Sequence, residues 1–393
     1  MVEYVQVGPD GQPTAYTVSL NPYAIERRIE KIADETQTKP VYPRVKWEEG
    51  KLTITREGTP GWRLNKYEAR DLILASIDKG VRSVTLVPRY AAIPVTADNL
   101  DSLGIVDLVS EGKSDFSGSA AYRVTNIQAG LKILDGILIP PGEEFSFNEN
   151  IGAIDETQGF VEGYAIVSSR TQLEFGGGIC QDSTTVFRAA FWAGLPITER
   201  WGHSFYISWY DKYGPTGMDS TIFTGGPDLR FLNDTGHWLL MQTSSNAKTG
   251  VATVRLYGTP NNRKVEMIQT ISNRISAPTE PVYVTDPEQP AGAVKQSDRA
   301  RDGITIDIAR TITMPDGTVR EPEIFKTRFK PWPNIFVFHP DNLVDGVPNI
   351  ELPPPQPNLS TPGVTAAEGV RYISATETAP VAEAPQPTEH EAP

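Results

Sequence analysis

At 393 residues, with 39% hydrophobic and 22% charged side chains, the chain is long enough for roughly two to three soluble domains, each with its own core. A formal net charge of −13 argues against general electrostatic binding to nucleic acid or to an anionic membrane surface, and a single cysteine excludes an internal disulfide. No apolar run approaches the roughly 18 residues of a membrane span, and Met1 to Leu20 carry Glu3 and Asp10 in place of a basic and then apolar leader.

The chain opens on the extended stretch Tyr4-Val5-Gln6-Val7, an opening compatible with an upstream segment that was removed or not included. Val45-Lys46-Trp47 and Leu52-Thr53-Ile54-Thr55 read as two strands joined by a turn at Glu49-Gly50. Asn65 can cap a helix whose apolar face is Ala69, Leu72, Ile73 and Ile77, and Gly80 ends it. Val81 to Val87 alternates as a strand, and Thr96 to Leu103 reads as a short helix closed by Gly104. These elements make residues 1–115 one unit of α+β type.

A second helix is predicted from about Ala121 to Asp135, because Val124, Ile127, Leu131 and Leu134 recur at spacings of three and four before Gly136. Pro140-Pro141-Gly142 then turns the chain into Glu144-Phe145-Ser146. Cys180 opens a third helix with one broad apolar face, Val186, Phe187, Ala190, Phe191 and Ala193, which Gly194 and Pro196 close. From Ile197 to Tyr210 the period changes to two, which predicts a strand with Trp201, His203, Phe205, Ile207 and Trp209 on one face. Asp219–Phe223, Leu229–Leu232, Trp238–Gln242 and Val251–Tyr257 read as further strands of an antiparallel set. This α+β unit covers 116–262. Residues 265–345 read as a small all-β module, with alternation at Ile304 to Ile308 and a hairpin turn at Asp316-Gly317. The stretch 346–393, rich in Pro, Ala, Thr and Glu, has few residues able to build a core and reads as disordered.

Gly176-Gly177-Gly178-Ile179-Cys180-Gln181-Asp182-Ser183-Thr184-Thr185 is the most informative segment. Three glycines permit close approach of a ligand, and a thiol at a helix start meets unpaired N–H groups and the positive dipole end, which favour the thiolate. The order Cys180, His203, Asp219 then supplies a nucleophile, a base and a group that orients the base, an arrangement that looks like transglutaminase and papain-like sites. Backbone N–H groups of Cys180 and Gln181 are candidates for an oxyanion hole. Gly176, Gly177, Gly178, Gln181 and Thr184 are expected to line the substrate path. The competing reading makes Cys180 a buried structural thiol, His203 a hydrogen-bonded core residue and Asp219 a turn acceptor. No paired ligand spacing supports a metal site at Cys180, His203, Asp219 and His237, and no cofactor motif is found. Of Trp201, Trp209, Tyr206 and Tyr210, a sugar-stacking face is one reading; two in the core and two on the surface is the favoured one.

The blocks Asn126-Ile127, Pro141-Gly142-Glu143-Glu144-Phe145-Ser146-Phe147-Asn148, Ile151-Gly152, Gly163-Tyr164, Gly176 to Gln181, Ser183-Thr184-Thr185, Ala193-Gly194-Leu195, Glu199-Arg200, His203-Ser204, Gly217-Met218-Asp219 and Asp228-Leu229-Arg230-Phe231 with Asn233 together resemble the VanW family of bacterial cell-envelope proteins. That family is associated with glycopeptide resistance. Residues 1–115 look like the peptidoglycan-binding domain that precedes VanW domains, and 265–345 are similar to the small glycine-named β module that follows them. The resemblance implies an extracytoplasmic protein of the cell wall or cell surface whose partner is peptidoglycan or its peptide stems. With the residues above, the expectation is a thiol-dependent peptidase, amidase or transpeptidase. The alternatives are a non-catalytic wall-binding scaffold and a surface assembly protein that self-associates through its β module.

Overall fold

Asn21 and Asn65 each turn a side-chain oxygen onto the first turn of a helix, and those two helices frame the amino-terminal unit. The computed structural model describes residues 2–7, 9, 13–19, 21–167, 170–287, 289–364 and 370–373, with side chains for 9, 21–163, 174–287 and 289–364. The chain forms two units, residues 1–103 with 136–138, and residues 104–135 with 139–393.

In the first unit, helix α1 (Pro22–Thr36) begins where Asn21 accepts from the N–H groups of Tyr23 and Ala24 at 3.0 and 3.3 Å, with Pro22 in the first turn. Helix α2 (Lys66–Asp78) starts at Asn65 in the same way, at 3.1 and 3.3 Å. Arg70 and Lys66 tie α2 to Glu26 and Glu30 of α1 at 2.7 and 2.9 Å. The expected hairpin is Arg44–Glu48 with Lys51–Arg56, turning through Glu49 and Gly50, both at positive φ as a two-residue hairpin loop requires. Val81 to Val87 is irregular rather than a strand. Val81 and Val87 lie exposed, with no sheet to receive the alternating face, and alternation without a partner strand does not make one. The short helix near Thr96 is a 3₁₀ segment, Ala97–Leu103, whose Leu100 and Leu103 are buried.

The second unit is built around helix α5 (Cys180–Trp192), preceded by α3 (Ala121–Leu134) and the short α4 (Phe147–Ile151). Strand Asp107–Asp115 pairs antiparallel with Val251–Gly258, which pairs with Leu239–Asn246. The sheet supports α5 closely: Ser110 Oγ donates to the Ala189 carbonyl at 2.7 Å, and a Cβ at Gly112 would lie 2.6 Å from the Ala189 nitrogen. On its other side α5 meets strands Lys264–Ile275, Gly303–Thr313 and Glu323–Phe329, paired in that order. Their alternating inner residues include Val265, Met267, Ile306 and Arg310, all at 0% exposure. Phe325 packs against Phe187 and Phe191 with ring centroids 5.7 and 5.5 Å apart, and Arg310 donates to the carbonyls of Phe191 and Leu195 at 2.9 and 2.8 Å. α5 is therefore buried on every side from Gln181 to Phe191, not along the one face its apolar residues predict. Its polar side chains fill hydrogen-bonding positions between layers.

Two further expectations are corrected. The period-two stretch Ile197 to Tyr210 is a strand only over Ile197–Glu199, followed by an isolated bridge at Trp201 to Thr221 and a 3₁₀ turn over Ser208–Tyr213. Asp219–Phe223 is likewise loop around that bridge. Within the tail, Val370–Ile373 pairs with Glu266–Gln269, because the open edge of Lys264–Ile275 offers unpaired backbone groups that an extended segment can satisfy. Residues 365–369 and 374–393 of the tail lie outside the described residues.

Candidate active site

The approach to α5 depends on backbone that only glycine adopts readily. Gly176 and Gly178 sit at φ of 76° and 115°, and a Cβ at Gly178 would lie 2.7 Å from Arg123 Cγ. The turn closes with the Ile179 N–H on the Gly176 carbonyl at 3.0 Å and delivers Cys180 as the first helical residue. Below it, Asn126 of α3 donates to the carbonyls of Gly177 and Val161 at 3.1 and 3.0 Å and fixes the turn from beneath.

The Cys180 thiol is half-buried, 3.4 Å from Thr221 Oγ1 and 3.7 Å from the Ile222 carbonyl, and it lies close enough to the imidazole of His203 for each group to shift the ionisation of the other. His203 turns Nδ1 to Asp219 Oδ2 at 2.6 Å, which leaves Nε2 for the sulfur. The same Oδ2 accepts the His203 backbone N–H at 2.8 Å, so ring and main chain are both fixed by one carboxylate oxygen. The Tyr210 ring flanks the imidazole at 5.4 Å. His203 thus stands in a loop rather than on a strand, and Asp219 is held in a loop as well.

Arg200 was not singled out by the sequence. Its guanidinium lies 5.2 Å over the Phe187 ring and donates to the carbonyls of Asp219 and Gly217 at 2.6 and 2.7 Å, and to Asp219 Oδ1 at 3.2 Å. Asp219 therefore has one oxygen on Arg200 and the other on His203. Arg188 is a second buried cation, whose donors reach the carbonyls of Met218, Lys113 and Tyr210 at 2.9, 2.7 and 2.5 Å. It ties the segment leading to Asp219 to the sheet. Only the Glu199-Arg200 pair within the family-like blocks could have pointed to Arg200; nothing in the spacing marked Arg188.

Charge on the site follows from these contacts. Burial pushes the Cys180 thiol up, but the hydrogen bond and charge of His203 outweigh it and bring the thiol down to about 7. Burial alone would lower His203, yet Asp219 and Cys180 raise it to about 9. Burial would raise Asp219, but its bond to His203 and the charge of Arg200 hold it down to about 2. Between about 7 and about 9 the pair is thiolate and imidazolium.

The remaining expected residues divide. Gly176 and Gly178 shape the turn. Gln181 is fully buried, its Nε2 on the Ser114 hydroxyl and the Asp115 carbonyl at 2.5 and 3.0 Å and its Oε1 on Arg123 at 2.7 Å, so its amide is occupied by the protein rather than turned to a substrate. Thr184 is also fully buried, with Oγ1 donating to the Ser220 carbonyl at 3.2 Å and accepting its N–H at 3.0 Å. The Gln181 N–H is taken by the Gly178 carbonyl at 2.9 Å, which removes it as an oxyanion donor; the Cys180 N–H has no hydrogen-bond partner among the described residues. Tyr206 and Tyr210 are buried while Trp201 and Trp209 are 54% and 43% exposed, the reverse of what strand alternation implies.

A family model described as "VanW like protein" matches residues 122–257, which contain Cys180, Arg188, Arg200, His203 and Asp219. Residues 122–257 are a VanW domain. A second family model, "Putative peptidoglycan binding domain", matches residues 3–85. The chain is similar to the uncharacterized protein YoaR of Bacillus subtilis strain 168, 33% identical over 148 residues, which is 38% of this chain and 48% of that protein. It is also similar to the vancomycin B-type resistance protein VanW of Enterococcus faecalis V583, 34% identical over 116 residues, 29% of this chain and 42% of that one. The chain spans about half the length of these curated relatives. Among solved structures, an IgA1 protease G5 domain matches with 17% identity, covering 21% of this chain and 96% of its own, at a TM-score of 0.12. The HP0197 G5 domain matches with 15% identity, 19% and 96% coverage, at a TM-score of 0.10. No helix among the described residues is long and apolar enough to cross a membrane.

Proposed function

We propose that the VanW domain is a thiol enzyme that cleaves or transfers an amide bond in the peptide part of peptidoglycan, and that the protein works at the cell wall, outside the cytoplasm, with the amino-terminal unit binding the same polymer. The observation that carries this reading is the cluster of Cys180, His203 and Asp219, with Asp219 Oδ2 2.6 Å from the imidazole and the thiol near enough to that imidazole for each to shift the ionisation of the other. The match of residues 3–85 to a peptidoglycan-binding family model supports the choice of polymer.

The chemistry follows from the ion pair. The Cys180 thiolate attacks the amide carbonyl carbon; as the C–S bond forms, the carbonyl electron pair moves to oxygen, within reach of the Cys180 N–H. The intermediate collapses with cleavage of the C–N bond, and His203 Nε2 gives its proton to the departing amine. Water or a second amine then attacks the thioester, His203 takes its proton, and Cys180 leaves as thiolate. Asp219 stays ionised throughout and holds the imidazole in register. Water yields cleavage and an amine yields transfer.

The test compares wild type with Cys180→Ala on purified sacculi. Wild type should change the muropeptide profile, and the variant should bind sacculi equally while leaving the profile untouched. Identical profiles with retained binding would leave a wall-binding protein without this chemistry.

A further inference from the structure

The carboxy-terminal strands do more than follow the VanW domain along the chain. Thr327, fully buried on strand Glu323–Phe329, accepts the one Arg200 amino group not already on Asp219 or Gly217, at 2.9 Å. The guanidinium is thereby used from both sides: one edge on Asp219 and Gly217, the opposite nitrogen on Thr327. The loop that carries the imidazole is bound to the segments that flank the same strands. The Lys330 N–H donates to the Ser204 carbonyl at 2.7 Å, Phe205 meets Trp332 with ring centroids 3.9 Å apart, and Arg301 donates to the Tyr206 carbonyl at 3.1 Å. Gln269, on Lys264–Ile275, donates to the Thr216 carbonyl at 2.5 Å, three residues before Asp219. Neither the His203 loop nor the Asp219 loop has a regular element of its own to stiffen it.

We propose that these strands are a working part of the thiol site, in which Thr327 is a positioning residue that acts on His203 through Arg200 and Asp219. The physical argument is geometric. A planar guanidinium with all its neighbours fixed has one orientation, and the Asp219 carboxylate it holds has one orientation in turn. Removing the Thr327 hydroxyl leaves a buried charged donor without an acceptor and frees the guanidinium to turn toward another. Asp219 Oδ1 then loses its fixed partner, the Oδ2 contact to the imidazole loosens, and less of the sulfur is thiolate at neutral pH. The other charged or titratable groups around the pair are Tyr210 beside the imidazole, Asp182 near the sulfur, Arg123 near Asp182 and Tyr210, and Arg188 and Asp211 behind Asp219; none changes in this substitution.

Because Cys180 is the single cysteine of the chain, its ionisation can be read directly in the whole protein as the rate of alkylation by iodoacetamide against pH. Wild type should show a midpoint near 7. Thr327→Val should move that midpoint up by roughly one unit, about a fivefold slower reaction at pH 7 that converges with wild type at high pH, and Thr327→Ser should restore it. A Thr327→Val protein that melts earlier but keeps the wild-type midpoint would overturn the proposal, since a merely structural threonine acts that way. If the valine protein does not fold, Thr327→Ala is measured in the same manner and the same two results decide. The proposal rests on the thiol-enzyme reading for its effect on turnover only. A shifted midpoint in a protein that never alters muropeptides would sink that reading and keep this one, and an unshifted midpoint with intact turnover would do the opposite.

Discussion

Cys180 is defined by what surrounds its sulfur. With the thiol down to about 7 and His203 up to about 9, the thiolate–imidazolium pair exists between those values. Turnover should rise as pH passes through about 7, where the thiol ionises, and fall through about 9, where the imidazolium loses its proton; a profile with a single limb near 4 would contradict this assignment. The sign for stability is separate. His203 is raised in the folded protein, so the stability it contributes is complete below its ordinary value of 6.5 and is lost as pH rises through about 9. Asp219 is depressed, so its contribution is present above the ordinary value of 3.8 and is lost as pH falls through about 2. Replacing His203 with Ala removes the partner that outweighs burial at Cys180. Alkylation at pH 7 should then fall by at least about tenfold, with the midpoint moving above the ordinary thiol range near 8.5. Asp182 poses a different residue-scale question. It lies fully buried two positions after Cys180, and neither carboxylate oxygen has a hydrogen-bond partner among the described residues. Burial drives its carboxyl well above the usual range, against the opposing charge of Arg123.

Helix α5 shows why a polar helix belongs in a core here. Ser183 donates to the Ser220 carbonyl at 2.7 Å, Thr185 to the Gln181 carbonyl at 2.7 Å, and Arg188 satisfies three carbonyls from two different segments. Ser183 and Arg188 thereby tie the helix to the loop residues Tyr210, Met218 and Ser220, which have no ladder of their own. Arg188→Met keeps much of the volume but leaves the carbonyls of Met218, Lys113 and Tyr210 without that donor. With each unsatisfied buried acceptor costing about 1–3 kcal/mol, the loss should exceed about 3 kcal/mol in chemical denaturation; a change below about 1 kcal/mol would show that the loops find other partners. Gly112→Val tests the opposite face. Its Cβ would lie 2.6 Å from the Ala189 nitrogen, so α5 must move off the sheet, and a marked drop in melting temperature is expected with slower Cys180 alkylation at pH 7.

At the scale of the molecule, residues 104–135 and 139–393 form one compact unit, with strands Lys264–Ile275, Gly303–Thr313 and Glu323–Phe329 packed on α5. Ending the chain before Lys264 would uncover Phe187 and Phe191 and remove the donors that Arg310 supplies to the carbonyls of Phe191 and Leu195. Such a truncated protein should lose its cooperative thermal transition and expose an apolar surface that binds a hydrophobic dye. A truncated form that melts cooperatively near the wild-type temperature would show that the VanW domain closes its core alone.

Local rules are what the sequence determined by itself. Asn65 as a cap, Gly50 in a two-residue hairpin, the three-four spacing of Ala121 to Leu134 and a cysteine opening a helix after a glycine turn are all short-range physics, and each is found where the residues predict it. The order Cys180, His203, Asp219 could be written down as well, but not that the three would meet, because they are joined through loops. What only the tertiary structure decided is the setting of those loops. Alternation from Ile197 to Tyr210 signals a strand, yet beyond Trp201 the chain has no partner strand to pair with and instead bonds Asp219, Lys330 and Arg301. Arg188 and Thr327 left no pattern in the sequence, and Arg200 none beyond its place in the Glu199-Arg200 block, for the same reason: a buried cation is held by carbonyls and hydroxyls distant along the chain, and such partners exist only once the layers have closed around α5.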